Sequence, residues 1–461
     1  MNINSNGLRK TSSIKLPNLM NYLIIYLSVT VLLCFFGPIH FNIRNPGLVI
    51  FYLILYHAAL WVGYKSANRN DIRKYKEFSI HEFSVRDKKW MHKLLLGSIL
   101  VNIMLLGFTA GTFNPKGIID KVISGILSPS DRYESAFVEA AERGSSIFSF
   151  IITLGMPFVI MALVLSVFYF FELSAGDKLL TIILYFTQIC YCFILGANEG
   201  FFDIVIYIGV AVFLRLQYRA IKRKRGKMKK TWKILLLVIA VLLIYFALSF
   251  FTTNIIGRTG ANFAFGTLGE NYYDKDASIN KYIPDDIYVT FVYLTAYLCE
   301  GYYGMSLATT LEWVPNFGMG FSSFIRNNLS DILGIDLFQN SYQVRIDNVY
   351  EWGALKNFHT AYTFWANDVG FIGVVFIMFI LGYVFCKCYR ASILRGSKSA
   401  IVMMPLLITM VLYLPANNKV FVQPASMLLM IYICVYKFLK YISKRKYSEE
   451  KYISRRKYSF Q

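Results

Sequence analysis

The sequence predicts an all-α, polytopic integral membrane protein with about ten transmembrane helices and a long extracytoplasmic loop before the last three. Of its 461 residues, 56% are hydrophobic, whereas soluble domains usually contain about 45–50%. These residues are grouped in blocks of about 18–22, the length that a helix needs to cross about 30 Å of hydrocarbon. Because lipid offers the backbone no hydrogen-bond partners, each block is predicted to be a helix rather than an open strand.

Seven apolar blocks form the N-terminal unit, residues 1–251. The first block is longer than the apolar core of a signal peptide and has no small-residue cleavage site, so we predict a retained span. Pro157 lies inside the fourth block and predicts a kink there. The predicted spans are Leu19–Phe36, Pro46–Tyr64, Leu94–Thr112, Ile147–Phe171, Leu179–Ile194, Phe201–Leu214 and Ile234–Phe251.

Residues 252–358 are predicted to form the long extracytoplasmic loop, which holds eleven acidic and six basic residues. Within it, Tyr288–Leu311 is partly apolar but contains Glu300 and Gly301, which favours an amphipathic helix lying at the membrane interface. If this helix crossed the membrane, a further span would be needed to restore the topology, giving up to about twelve. The C-terminal unit, residues 359–436, contains the predicted spans His359–Cys386, Ala400–Leu414 and Val420–Tyr436, and residues 437–461 form a basic tail.

The net charge of +21 is concentrated on one side of this topology. The segments 65–93, 215–230 and 437–461 contain nine basic residues each, and they alternate with neutral or acidic loops. The positive-inside rule therefore places both termini in the cytoplasm and the long loop outside. We interpret the basic residues as topology signals and contacts with an anionic lipid bilayer. Nucleic-acid binding is disfavoured because no aromatic-interleaved basic fold accompanies them.

His359 joins the long loop to a span, and this position makes it the candidate catalytic residue. Arg258 and Arg345 lie in the same loop, and Arg132 lies in the other long extracytoplasmic loop, residues 113–146. A guanidinium grips a phosphate through two parallel hydrogen bonds, so these arginines are candidate diphosphate-binding residues. A histidine beside them suits proton transfer or stabilisation of charge on a diphosphate. The sequence has no phosphate-binding glycine loop, nucleophile elbow or zinc-binding helix, so neither a cofactor nor a metal is predicted.

Two stretches resemble motifs of a known superfamily. His359-Thr360, nine further residues and then Gly370-Phe371-Ile372-Gly373 resemble the histidine motif of the O-antigen ligase and polymerase superfamily. The second position of that motif is usually Asn, Ser or Gln, from which Thr360 departs mildly. Gly196–Asp203 resembles the Gly-x-x-x-Gly-x-x-Asp hairpin of oligosaccharide repeat-unit polymerases. The number of spans and the late, long loop are similar as well.

The resemblance implies a metal-independent glycosyltransferase at the outer face of the bacterial cytoplasmic membrane. In a polymerase of this kind, the growing glycan leaves its undecaprenyl diphosphate carrier and joins a sugar hydroxyl on the next lipid-linked repeat unit. His359 would act as a base towards that hydroxyl or would stabilise the leaving diphosphate, while the motif does not fix which arginines bind the diphosphate. In the biosynthesis of O-antigen, capsule or exopolysaccharide, a chain-length regulator and a flippase are candidate protein partners.

The sequence leaves three alternatives open. A ligase of the same superfamily would use the same site with a different acceptor. A flippase for lipid-linked oligosaccharides would be a transporter, for which charged residues inside spans and two related halves are expected. The predicted spans are nearly uncharged, and one long loop makes the halves unequal. A structural membrane protein would leave His359 and the arginines without a role.

Overall fold

The computed structural model describes residues 16–71, 83–143, 146–222, 230–259 and 271–458, apart from 275, 323, 327–328, 331–333, 336–337 and 355–356. Over these residues the chain is mostly helical, and the described sheet is one antiparallel pair, β1 (Ile39–His40) with β2 (Tyr272–Tyr273). The helices are α1 (Leu19–Phe36), α2 (Pro46–Asp71), α3 (Val85–Ala110), α4 (Pro115–Leu127), α5 (Pro129–Arg143), α6 (Ile147–Phe168), α7 (Ala175–Leu195), α8 (Asn198–Lys222), α9 (Lys230–Thr259), α10 (Asp285–Ala308), α11 (Tyr342–Tyr350), α12 (Ala361–Arg395), α13 (Lys398–Tyr413), α14 (Lys419–Val422) and α15 (Pro424–Tyr458). Short 3₁₀ helices occupy Phe170–Glu172, Ser278–Tyr282 and Phe338–Asn340.

Seven helices in the described part of the chain are long and apolar enough to cross a membrane, which confirms the predicted all-α polytopic membrane class. These stretches are Leu19–Phe36, Pro46–Asn68, Val85–Ala110, Ile147–Phe168, Ala175–Leu195, Ala361–Arg395 and Pro424–Ser443. The other three predicted spans are also helical and correspond to α8, α9 and α13. In these, the described apolar stretches are shorter or interrupted, so the count of about ten spans stays a prediction.

Helix α12 is divided in two by Gly370, whose φ of 67° and ψ of 167° lie far from helical values. Such a positive φ strains residues that carry a Cβ but not glycine. Thr360 begins the first part, because its Oγ1 accepts a hydrogen bond from Thr363 N (3.1 Å). The histidine motif therefore forms a short helix, residues 361–369, followed by a long apolar helix, residues 371–395.

The long second part of α12 packs along α2 through two glycines. A methyl group added to Gly63 would lie 2.0 Å from Phe379 O, and one added to Gly382 would lie 2.0 Å from Leu60 O. Small residues let helix backbones approach closely in membranes, where no hydrophobic effect drives helices together. This pair of helices is a fixed support for the start of α12.

Contacts between distant segments define two ends of the bundle. The first, which we call the loop end, gathers the α1–α2 and α7–α8 connections, residues 271–360 and the α13–α15 connection. The contacts are β1 with β2, Asn254 Nδ2 donating to Gly196 O (2.7 Å), Ala361 N donating to Leu414 O (3.0 Å) and Gln423 Nε2 donating to Glu199 Oε1 (2.9 Å). At the opposite end, ion pairs join Asp87 to Lys398 and Glu172 to Arg215. Segments predicted for one side thus meet at one end, while the orientation of each end across a membrane stays a prediction.

Helix α10 corresponds to the predicted amphipathic helix, and both of its ends contact the α1–α2 connection or the strand paired with it. Near its start, the Tyr288 ring packs edge-on against Tyr273 of β2 (5.6 Å between centroids). Near its end, Ser306 Oγ accepts a hydrogen bond from Arg44 N (3.1 Å). Helix α10 therefore stays at the loop end, and it is not among the seven apolar stretches long enough to span.

Candidate functional site

His359 lies at the loop end, two residues before α12, and only 2% of its surface is exposed. The chain beside it is fixed on one side by Ala361 N, which donates to Leu414 O (3.0 Å). On the other side, α10 comes so close that a methyl group added to Gly304 would lie 3.2 Å from His359 Nδ1. The imidazole is therefore held between α10 and the start of α12.

The imidazole of His359 is neutral at neutral pH. Burial lowers its pKa to about 4, because the charged form loses its hydration. The Gly353 backbone and the Asp347 carboxylate oppose this shift but do not cancel it. Neither ring nitrogen has a well-formed hydrogen bond to a described residue, so one of them is available to accept a proton.

A hydrogen-bond donor lies beside this acceptor. Trp352 is 1% exposed, and its ring packs edge-on against Tyr303 of α10 (4.7 Å between centroids). Its Nε1 would lie 3.3 Å from a methyl group added to Gly304, and it too lacks a hydrogen-bond partner among the described residues. Leaving a buried polar group unpaired costs about 1–3 kcal/mol. A buried donor and a buried acceptor side by side suit a ligand hydroxyl, which donates and accepts.

Helix α11 carries groups of opposite charge on different faces. The carboxylate of Asp347 acts on His359, and its Oδ2 also accepts a hydrogen bond from Ala354 N (3.1 Å). Two residues earlier, Arg345 Nη1 donates to Glu312 O (2.6 Å). This is the one hydrogen bond that the Arg345 side chain makes to the described residues. The remaining donors of this partly exposed guanidinium are available to an anion. The structure thus places Arg345 on the helix that contacts the His359 site, although no hydrogen bond joins the two side chains.

Arg132 has its donors directed at protein groups. Its Nη1 and Nη2 bind the two carboxylate oxygens of Glu139 (2.7 and 2.9 Å), and its Nε donates to Ile194 O (2.7 Å). The residue is 3% exposed, so this fork joins α5 to the end of α7. Arg258 is in the last turn of α9, and its side chain lies outside the described residues.

Asn367 attaches α11 and the chain after α10 to the short first part of α12. Its Oδ1 accepts a hydrogen bond from Tyr342 N (2.8 Å), and its Nδ2 donates to Gln343 Oε1 (2.9 Å). Its backbone carbonyl accepts from Trp313 Nε1 (3.2 Å) and from Asn316 N (3.0 Å). The amide is 1% exposed, and it sets where α11 lies relative to the histidine motif.

An apolar cavity of about 370 Å³ opens beside Gly370. Its walls come from α2, from the start of α11, from the residues after α10 and from the break in α12. They include Leu48, Tyr52, Leu311, Trp313, Tyr342 and Phe371. Arg345 binds the carbonyl of Glu312, which lies between the lining residues Leu311 and Trp313, so its guanidinium is near this cavity.

Glu300 is a buried carboxyl group on α10, one helical turn before Gly304. Only 9% of its surface is exposed, and no described residue offers it a hydrogen bond or an opposite charge. Burial raises its pKa to about 8, so it carries a proton at neutral pH. Glu300 lies on the helix that packs against the histidine segment, and none of the interactions that act on His359 comes from it.

A second charged cluster lies where the α7–α8 turn meets the α13–α15 connection. Lys419 is 3% exposed, and its Nζ lies 2.6 Å from Asp203 Oδ1 and 3.1 Å from Glu199 Oε1. The ammonium group also lies over the Tyr413 ring, 4.4 Å from its centroid. The hairpin Gly196–Asp203 thus supplies both acids to a lysine on the connection that contacts the His359 segment.

The residues that sequence reasoning missed differ in the signals they left. Glu300 is a single carboxylate in a partly apolar, aromatic stretch, where an ionisable residue is costly and often functional. Lys419 is a single lysine in the short connection before the last helix. Asp347 and Trp352 left no spacing signal, because tertiary packing alone brings them to His359. In the part of the chain that is described, no three potential metal ligands come together.

Comparison with known proteins does not assign the chain to a family. No protein-family model, no curated protein and no solved structure matches the sequence or the fold.

Proposed function

We propose that the chain is a membrane-embedded glycan polymerase, which joins undecaprenyl diphosphate-linked repeat units at the outer face of the bacterial cytoplasmic membrane during surface polysaccharide biosynthesis. The observation that carries the proposal is the buried, neutral His359. Helix α11, which carries Arg345, lies beside it, and the short first part of α12 leads from it to the apolar cavity at Gly370. These features suit an acceptor hydroxyl, a diphosphate and an isoprenoid chain, respectively.

Two parts of the donor substrate, its isoprenoid chain and its diphosphate, have separate binding positions. The first isoprenoid units occupy the cavity beside Gly370, whose wall residues Val369 and Ile372 are 41% and 71% exposed and so continue into lipid. The diphosphate binds at the rim, where the planar fork of Arg345 grips two of its oxygens. This placement leaves the sugar at the other side of α11, towards His359.

The reaction proceeds by displacement at the anomeric carbon of the donor sugar. His359 accepts the proton of the acceptor hydroxyl, and the acceptor oxygen forms the new bond to the anomeric carbon. The bond from that carbon to the diphosphate oxygen breaks, and its electron pair leaves with the diphosphate. Arg345 stabilises the developing charge, and the nearby anion raises the proton affinity of the imidazole.

The test replaces His359 in cells that lack the chromosomal gene. His359→Ala is expected to remove the ladder of long glycan chains, because loss of a general base lowers the rate by about 10²–10⁴-fold. The matched control is His40→Ala, which removes an exposed loop-end histidine. A normal ladder from His359→Ala, with normal amounts of the protein in the membrane, would contradict the catalytic assignment.

The product that accumulates in a gene deletion separates the alternatives. A surface glycan of one repeat unit indicates a polymerase, long carrier-bound chains indicate a ligase, and an absence of outer glycan indicates a flippase.

Arg345→Lys tests the diphosphate site, because lysine keeps the charge but loses the planar fork. A fall of about 100-fold in transfer rate is expected. Arg132→Lys is expected to lower the amount of folded protein instead, because Arg132 joins α5 to α7. Equal activity of Arg345→Lys and the wild type would remove Arg345 from the site.

A further inference from the structure

Helix α4 has one apolar face that the described part of the chain leaves open. Residues three or four apart in a helix lie on the same side, and α4 carries a row of aliphatic side chains with this spacing. Each of them is between 47% and 76% exposed: Ile119, Ile123, Ile126 and Leu127. A contiguous apolar row on a protein surface marks a contact with lipid or with another protein.

The rotation of α4 about its own axis is fixed by its other two faces. The inner face packs on the last turns of α3 and α7, and a methyl group added to Gly125 would lie 1.8 Å from Phe193 O. On the polar face, Lys121 pairs with Glu139 of α5, and Ser124 is exposed. The aliphatic row is therefore held outwards and cannot turn towards the bundle.

Helix α4 lies at the edge of the lipid-facing surface of two spans. Its thirteen residues are about 20 Å long, too short to cross about 30 Å of hydrocarbon. On α3, exposed Ile103 is three residues before Leu106, which α4 covers, and on α7, exposed Phe186 is four residues before Cys190, which α4 also covers. These spacings put α4 on the face that each span exposes, one helical turn nearer the loop end.

We propose that α4 is a membrane-surface helix, which lies in the leaflet at the loop end with its aliphatic row among the lipid acyl chains. Helices of this kind carry an apolar and a polar face, and the apolar face is buried by about 5–10 Å at the boundary between headgroups and acyl chains. The segment 113–146, which the sequence presents as a polar loop, thus contributes to the membrane contact. Neither this contact nor its tests involve glycan transfer, so they stand apart from the proposed function.

The composition of the row favours lipid over a second protein as its partner. The centres of protein interfaces are enriched in aromatic residues, Met and Arg, whereas this row contains only Ile and Leu. Lys116 borders the row in the first turn of α4, and the long stem of a lysine lets its ammonium group reach the lipid phosphates. The same face of α3 and of α7 is already apolar and exposed one turn further from the loop end.

A photoreactive residue tests the contact directly. The full-length protein with Ile123→p-benzoylphenylalanine is reconstituted in nanodiscs of phosphatidylethanolamine and phosphatidylglycerol, irradiated and analysed by mass spectrometry. Ser124→p-benzoylphenylalanine is the matched control, because the neighbouring residue lies on the polar face. We expect lipid adducts at position 123 and at least about tenfold fewer at position 124, since only the row reaches the acyl chains. A cross-linked dimer in place of lipid adducts, or equal lipid yields at the two positions, overturns the proposal.

A second test removes the affinity of the row for lipid. Trypsin should cleave after Lys121 at least about tenfold faster in nanodiscs of the double variant Ile119→Asp and Ile123→Asp, because ionised carboxylates are costly among acyl chains. Ser124→Asp adds a charge to the polar face and should be cleaved at the rate of the wild type. Equal rates for the double variant and the wild type overturn the proposal. If the double variant does not fold, the photoreactive variants decide the question, because their single substitutions lie at exposed positions.

Discussion

His359 shows what burial does to a single side chain. A charged imidazole in this place would lose its hydration, and the Gly353 backbone and the Asp347 carboxylate do not offset that loss, so the folded protein keeps the neutral form. A neutral imidazole with an unpaired nitrogen is a proton acceptor that is ready before substrate arrives. The same burial has a consequence for stability that can be measured without any substrate.

The stability of the protein should fall on acidification through His359. Its pKa is about 4 when folded and 6.5 in its ordinary state, so the unfolded chain binds more protons between these values. The contribution is present in full above pH 6.5 and is lost as the pH falls towards 4, by on the order of 3 kcal/mol. Thermal unfolding in detergent at pH 7 and pH 4.5 should show a smaller difference for His359→Gln than for the wild type. Equal differences in the two proteins would show that His359 is not the group responsible.

The three arginines selected from the sequence differ in what their guanidinium groups already bind. Both terminal nitrogens of Arg132 donate hydrogen bonds to the carboxylate of Glu139, whereas Arg345 has one hydrogen bond to a backbone carbonyl. An arginine that already binds a carboxylate has to lose that partner before it can bind a phosphate. This favours Arg345 over Arg132 for the diphosphate-binding role that we propose.

At the scale of elements, the break in α12 creates the site. His359 lies two residues before the short helix 361–369, Asn367 lies near the end of that helix, and Gly370 lets the chain turn into the long helix. Asn367 then fixes α11, which carries Arg345 and Asp347. The relative position of His359 and Arg345 thus depends on one amide side chain between two short helices.

Asn367→Leu should release α11 while leaving the bundle intact. The substitution leaves Tyr342 N and Gln343 without their partners, at about 1–3 kcal/mol for each unpaired group. Limited proteolysis of residues 313–341 should become at least tenfold faster, and glycan transfer should fall. Asn102→Leu is the control, because Asn102 is equally buried in α3 and bonds to Thr187 of α7, far along the chain from this loop. Unchanged proteolysis would show that Asn367 does not hold α11 in place.

At the scale of the whole molecule, the sequence predicts the layout better than the site. Block lengths and charge alternation predict the helices and the grouping of loops at one end, because span length and loop charge are local properties. The motif identifies His359, and the first of its two glycines is Gly370, where α12 is broken. Asp347 and Trp352 come to His359 through the conformation of the chain between α11 and α12, and Gly304 meets them from α10, and no period or spacing encodes such packing. Arg132 and Glu139 lie two turns apart on the same helix, α5, whereas the hydrogen bond from Arg132 Nε to Ile194 O depends on how α5 packs against α7.

The loop end is held together across the molecule by Lys419, which joins the α7–α8 hairpin to the connection after α13. Its ammonium group balances the charges of Asp203 and Glu199 in a site where it is itself almost fully buried.

Removing one partner of a buried pair leaves an uncompensated charge, so Lys419→Met should cost about 3–5 kcal/mol in thermal unfolding experiments in detergent. Because the loss comes from the unpaired acid, adding Asp203→Asn to Lys419→Met should restore part of it, with a coupling energy of about 0.5–3 kcal/mol. Lys116→Met, which removes an exposed lysine on α4, should leave the melting temperature unchanged. A double variant no more stable than Lys419→Met alone would mean that Lys419 is needed for packing, and that its charge does not join the hairpin to the site.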